Sequence, residues 1–181
     1  MFDRSKVAIL AVCGVALAAS AAAWVYQRGR AARPLEFWGA DAGLLVASAP
    51  RVEALLLGYA GEKGAAADGD LGTIESGPIE FDGARLVVLR RADVSTARGI
   101  TNVRRALLDD GSFAWDASDS CRPEWTHALR FSSDDAETLL LLSFDCPRAT
   151  TVAGGRTASI APSAAALREF LEEQFQAQPE R

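Results

Sequence analysis

The chain has 181 residues, 49% apolar and 24% charged, a composition that suits a single buried core and excludes an intrinsically disordered chain. Its net charge of −5 is unevenly spread. Residues 1–33 hold five of the 19 basic groups and one of the 24 acidic groups, leaving 14 basic and 23 acidic groups, net −9, for the rest. A domain of that sign repels phosphate backbones, so no nucleic-acid partner is expected.

From Val7 to Val25 the sequence VAILAVCGVALAASAAAWV carries no charge. As a helix it would span about 28 Å, the thickness of a bilayer core. Trp24 and Tyr26 follow where such a helix would meet headgroups, and then come Arg28, Arg30 and Arg33. The expectation is a single-pass anchor in a bacterial inner membrane through residues 7–25. The competing reading is a cleavable signal peptide, because Ala19-Ser20-Ala21 and Ala21-Ala22-Ala23 fit a small-x-small cleavage pattern. Cys13 reads as a small apolar residue within the helix. Arg4 and Lys6 on one side nearly balance the arginines on the other, so basic residues do not fix the orientation. Outside the helix only Cys121 and Cys146 remain, an even number that suits one disulfide in an oxidising compartment. The domain is therefore expected on the periplasmic side; two unrelated buried thiols in a cytosolic domain are the alternative.

Residues 1–33 read as anchor or signal peptide plus basic linker, and residues 34–181 as the periplasmic domain, its folded part starting near Leu35. Gln27 to Pro34 is read as the linker, short enough to keep the domain close to the membrane surface. Leu44–Ala47 and Val52–Leu57 flank Ala49-Pro50-Arg51 and suggest two short buried strands, or a strand leading into a turn, with a helix possible for the second. Gly58–Gly72 has loop composition. Its glycines lack the Gly-Lys-Ser/Thr ending of a phosphate loop, and Asp68-x-Asp70 lacks the remaining ligands of a calcium loop.

Asp82-Gly83 between Pro78–Phe81 and Ala84–Leu89 signals a hairpin. Ile100, Val103, Leu107 and Leu108 then mark one face of a helix, with Gly111 as its expected cap. Phe113 and Trp115 are expected to pack the helix end against the sheet. Leu129 and Phe131 begin a strand, Ser132–Ala136 gives a turn, and Thr138–Phe144 reads as a central strand buried on both faces. Gly154-Gly155 marks a second hairpin, and Ser163 is a plausible N-cap for a final helix. That helix would turn Leu167, Phe170, Leu171 and Phe175 inward and Glu169, Glu172 and Glu173 outward. The order predicts an α+β fold: an N-terminal transmembrane helix, then a mainly antiparallel sheet with about two helices packed on one face.

The segment from Arg105 to Pro147 contains RALLDDGSFAWD, Cys121, an apolar strand and the ending LLSFDCP. It resembles uncharacterised small exported or membrane-anchored bacterial proteins that share a Cys, a strand, an acidic residue and a second Cys. The resemblance covers about the second half of the domain, and implies a fold-level grouping with Cys121 and Cys146 as its most distinctive positions. It carries no activity.

Cys121 and Cys146 lie too far apart in sequence for a CxxC redox pair, so a structural bridge is expected. His127 is the only histidine, which leaves any zinc site short of paired ligands and gives a Ser-His-Asp scheme one candidate base without a G-x-S-x-G elbow. It reads as a partly exposed strand-edge residue. Asp109, Asp110, Asp116, Asp119, Asp134 and Asp135 fall in turns and loops, where Asp is favoured for backbone reasons. The arginines at 85, 90, 91, 98, 104 and 105 cluster in sequence; Arg90, Arg91, Arg104 and Arg105 are the candidate surface for an acidic partner or anionic lipid, against an ordinary solvated face. Phe37, Trp38, Trp115 and Trp125 read as core or interface residues, or as the lining of a ligand groove. No cofactor or metal is expected. The functional expectation is a non-enzymatic, membrane-tethered module binding an envelope protein partner; the alternatives are a hydrolase using acidic residues and His127, and a thiol-redox protein.

Overall fold

The computed structural model describes residues 4–60, 77–117 and 120–177, without the side chains of residues 4–12, 26–28, 30 and 31. The first helix, α1, runs from Arg4 to Trp38 without interruption, so residues 27–34, expected as a linker, are helical. The Ala-rich sequence favours this, since each Ala orders in a helix at no side-chain entropy cost. Pro34 removes one intrahelical donor, yet it is buried, and the turn after it inserts Phe37 and Trp38 into the core at 4% and 6% exposure. Burial of those two rings holds the helix together where its own hydrogen bonding is weakest. Thirteen helical residues from 26 to 38 make an arm of about 20 Å, not a short tether. Among the described residues no helix is long and apolar enough to cross a membrane. The side chains of residues 7–12, the first third of the expected span, lie outside the description.

The chain turns at Gly39 and forms α2, Ala40–Ser48. Leu44–Ala47, expected as a strand, is thus helical. Apart from Val46 the segment has no β-branched residue, and Ala and Leu are among the best helix formers. Only Gly43 and Val46 of α2 are buried, while Leu44 is 69% exposed. Ala49 is extended ahead of Pro50, as sterics before proline require, which stops the helix and launches β1, Arg51–Tyr59.

Seven strands form one antiparallel sheet in the order β2-β3-β1-β4-β5-β6-β7. They are β2 Ile79–Phe81, β3 Ala84–Asp93, β4 His127–Ser132, β5 Glu137–Ser143, β6 Arg148–Thr151 and β7 Thr157–Ser159. The Asp82-Gly83 hairpin forms as read, with φ of 49° and 72°, the doubly positive turn whose twist matches its strands. Leu89 is an extra residue opposite the Leu56/Leu57 step of β1, a bulge that presses its side chain over Gly58. A Cβ at position 58 would stand 2.9 Å from Leu89 Cδ1, so a larger residue there requires the Leu89 side chain to move aside. Most of the expected 58–72 loop lies outside the described residues.

The end of α1, α2, α3 (Ile100–Leu108) and α4 (Ala164–Ala177) cover one face of the sheet. There Trp38, Val46, Val103, Leu107, Leu167 and Leu171 meet Val52, Ala54, Leu129, Phe131, Leu140 and Leu142. Each large side chain buried this way contributes about 1.5–3 kcal/mol. The α4 residues expected inward, Leu167, Phe170, Leu171 and Phe175, are all buried. Strand β5 is buried on both faces as its TLLLL run predicts. On the opposite face Leu55, Leu57, Leu86, Ala128 and Leu141 form a smaller cluster under Trp125.

Two cap expectations are corrected. Helix α3 ends at Leu108, and Gly111 sits in the following 3₁₀ turn, Asp110–Ser112, because the Asp109 carboxylate accepts its N–H at 3.1 Å. Ser163 does not cap α4 with its side chain: its hydroxyl donates to the carbonyl of Ser112 at 2.9 Å, and its own carbonyl accepts from Leu167 N–H.

Candidate functional site

Strand alternation carries one line of charge onto the face away from the helices. Glu53 on β1 stands opposite Asp93 on β3 and Arg130 on β4, while Arg91 stands opposite Leu55, two residues along. All of these side chains share a face, because residues directly opposite in a ladder point the same way. The Glu53 carboxylate lies between two guanidiniums, 3.2 Å from Arg91 and 3.3 Å from Arg130. Glu53 and Arg130 are largely covered, at 22% and 14% side-chain exposure. At the rim Arg51 meets Asp134 at 3.2 Å, with both ends in solvent. Asp93 accepts from the backbone N–H and hydroxyl of Ser95, and these bonds hold its carboxyl below the ordinary carboxylate range.

Together these groups line an open groove of about 500 Å³, closed at one end by the β4–β5 turn with Asp134, Asp135 and Glu137. Both oxygens of Glu53 already face guanidinium donors, and the walls alternate in sign. Such a surface suits recognition of a polar, charged partner group. Sequence reading missed Glu53 and Arg130. The available signal was a single carboxylate inside the apolar run Val52–Leu57, which alternation must place on a defined face.

The four arginines read as one surface do not come together. Arg90 and Arg91 are neighbours on β3 and point to opposite faces. Arg90 lies over the Phe175 ring at 5.7 Å and donates to the Phe175 carbonyl at 2.8 Å, under α4. Arg91 belongs to the groove. Arg104 on α3 donates to the carbonyls of Val46 at 2.8 Å and Ala49 at 2.6 Å, closing the C-terminus of α2, and lies over the Phe131 ring. Arg105 projects into solvent from α3.

His127 begins an interior strand, between β1 and β5, and is not at a sheet edge. It faces the helices, with its ring against Phe144 and Phe175 and Nδ1 2.9 Å from the Thr126 hydroxyl. Burial, aided by the charge of Arg168 and opposed by Glu172, lowers its pKa below the usual imidazole value. The sheet separates it from the carboxylates of the groove. Of the acidic residues singled out, Asp134 and Asp135 reach the groove. Asp109 caps the 3₁₀ turn, Asp110 accepts from Trp115 Nε1 at 2.8 Å, and Asp116 stands 3.7 Å from Arg33. Asp119 lies outside the described residues.

Phe37, Trp38 and Trp115 gather with Phe113 on the helix side, whereas Trp125 covers the opposite cluster, so they do not line one groove. Trp38 donates its indole N–H to the Leu107 carbonyl at 2.8 Å. Cys121 and Cys146 are joined in a disulfide, Cα–Cα 5.8 Å, that ties the segment before β4 to the β5–β6 turn. Among the described residues no group of three His, Cys, Asp or Glu side chains is placed to hold a metal ion. No protein-family model, curated protein or solved structure matches this chain.

Proposed function

We propose that this chain is an envelope protein anchored in a bacterial inner membrane, whose domain lies on the periplasmic side and serves as an accessory module that binds another protein. The observation that carries the reading is the Cys121–Cys146 bond, because such bonds persist in oxidising compartments. Two further features support it. Residues 13–25 of α1 are exposed and uncharged, with Val15, Leu17, Trp24 and Val25 at 59–72% exposure, as suits a helix covered by lipid. The resemblance of residues 105–147 to small exported proteins points the same way. Helix α1 enters the core through Phe37 and Trp38, so the domain follows the anchor as one piece.

The groove is the surface proposed for the partner, since it is concave, lined by side chains of both charges, and faces away from the helices. Protease treatment of intact spheroplasts is expected to digest the domain; protection until the membrane is broken would contradict the external placement. A photo-reactive amino acid in place of Glu137 is expected to give a discrete cross-linked adduct in cells that is lost on Arg91→Glu, with a probe at Glu173 on α4 giving none. Equal adducts from both positions, or persistence in the Arg91 variant, would remove the groove from consideration.

A further inference from the structure

We propose that the Cys121–Cys146 bond is a redox latch for residues 120–125, and that its reduction lets Trp125 leave the apolar cluster it covers. This goes beyond the anchoring proposal and does not depend on it. The two ends of the bond differ. Cys121 is exposed, whereas Cys146 is buried at 3%. Around Cys121 the chain makes little packing of its own: Ser120, Arg122 and Glu124 are exposed and Pro123 is half-buried. Trp125, by contrast, is 6% exposed; its ring meets Phe81 edge-on at 5.8 Å, and its backbone N–H donates to the Tyr59 hydroxyl at 3.0 Å. Beneath it lie Leu55, Leu57, Leu86 and Leu141.

The main core does not include this segment. It sits on the other face of the sheet, between strands and helices. Strands β4 and β5 pair from His127↔Leu142 to Ser132↔Glu137, and Thr126 extends that bonding by one residue, donating to the Leu142 carbonyl at 3.2 Å and accepting from Leu57 N–H at 2.8 Å, so the sheet begins just after Trp125. Loss of the bond therefore removes the covalent tie on residues 120–125 and leaves Trp125 held by its ring contacts and the Tyr59 hydroxyl alone, while the ladder and the main core keep their own contacts. Local openings of this kind start where backbone is exposed and apolar contacts are few, as at residues 120–124.

A dithiol reductant completes the chemistry. Its thiolate attacks Sγ of Cys121, the accessible sulfur, and Cys146 leaves as thiolate and takes up a proton. The second thiol of the reductant then attacks the mixed disulfide, releasing Cys121 as a thiol and the reductant as its cyclic disulfide. Two electrons and two protons pass to the protein.

Hydrogen exchange read by mass spectrometry on the full-length protein in detergent, before and after dithiothreitol, tests the latch, with Cys121→Ser as a second route to the open form. Exchange in residues 120–125, read at the Trp125 amide that donates to Tyr59, is expected to speed up about tenfold or more, with β4 and β5 still protected, though less than in the oxidised protein, and the change reversed on reoxidation. Unchanged exchange in residues 120–125 overturns the proposal. Exchange of β4 and β5 at the rate of an unfolded chain overturns it too, since the bond would then hold the whole fold and not a local strap.

Discussion

Trp38→Ala and Trp38→Phe probe how far α1 belongs to the domain. The indole is 6% exposed, packs edge-on against Phe37 at 5.4 Å and Phe131 at 6.4 Å, and donates to the Leu107 carbonyl. That carbonyl lies in the last turn of α3, where helix geometry supplies no partner of its own. Trp38→Phe keeps most of the apolar contact and orphans the carbonyl, a loss of about 1–3 kcal/mol. In a domain of this size that lowers Tm by about 4–10 °C. Trp38→Ala also opens a cavity against Phe37 and Phe131, and truncation of a buried aromatic costs about 3–5 kcal/mol before the lost hydrogen bond is counted. Urea denaturation followed by circular dichroism measures both. If Trp38→Ala falls within about 1 kcal/mol of the parent, the end of α1 contributes little and the domain begins after Gly39.

Three further outcomes follow from the same contacts. Complete reduction removes no core side chain and frees a loop whose ends lie 25 residues apart, so the urea midpoint is expected to fall by the equivalent of about 3–4 kcal/mol with the reduced domain still folded; an unchanged midpoint would contradict the bond's role. Arg104→Met leaves the Val46 and Ala49 carbonyls without their guanidinium and should cost about 1–3 kcal/mol by the same denaturation assay, whereas Arg105→Met, at an exposed position, should cost under about 0.5 kcal/mol. His127 has a folded-state pKa below its unfolded value, so the unfolded chain binds the proton first. Its contribution is fully present above the unfolded imidazole pKa and is lost as pH falls through the lowered folded value. His127→Phe should flatten that part of the stability–pH curve, and an identical slope in parent and variant would refute the assignment.

Much of the framework is legible in local sequence. Asp82-Gly83 and Gly154-Gly155 declare their hairpins, the TLLLL run declares a strand buried on both faces, and the spacing of Leu167, Phe170, Leu171 and Phe175 declares the inner face of α4. What failed has physical causes. Leu44–Ala47 is a short apolar run, and such runs fit strand and helix equally until propensity is weighed; Ala and Leu decide for helix. Closeness in sequence does not bring the arginines together, because adjacent strand residues face opposite ways and Arg104 finds its acceptors 55 and 58 residues away. The groove needed the β3-β1-β4 order and its register to bring Arg91, Glu53 and Arg130 together. Glu53 alone carries no hint of which arginines will flank it.

The most direct test of the central claim is the intact mass of the protein from purified membranes, alkylated under denaturing conditions with and without prior reduction. An uncleaved, disulfide-bonded protein gives a full-length mass, one label on Cys13 in both samples, and two more labels, on Cys121 and Cys146, only after reduction. Labelling of all three thiols without reduction, or a mass lacking the N-terminal residues, would contradict an uncleaved anchor carrying a disulfide-bonded external domain.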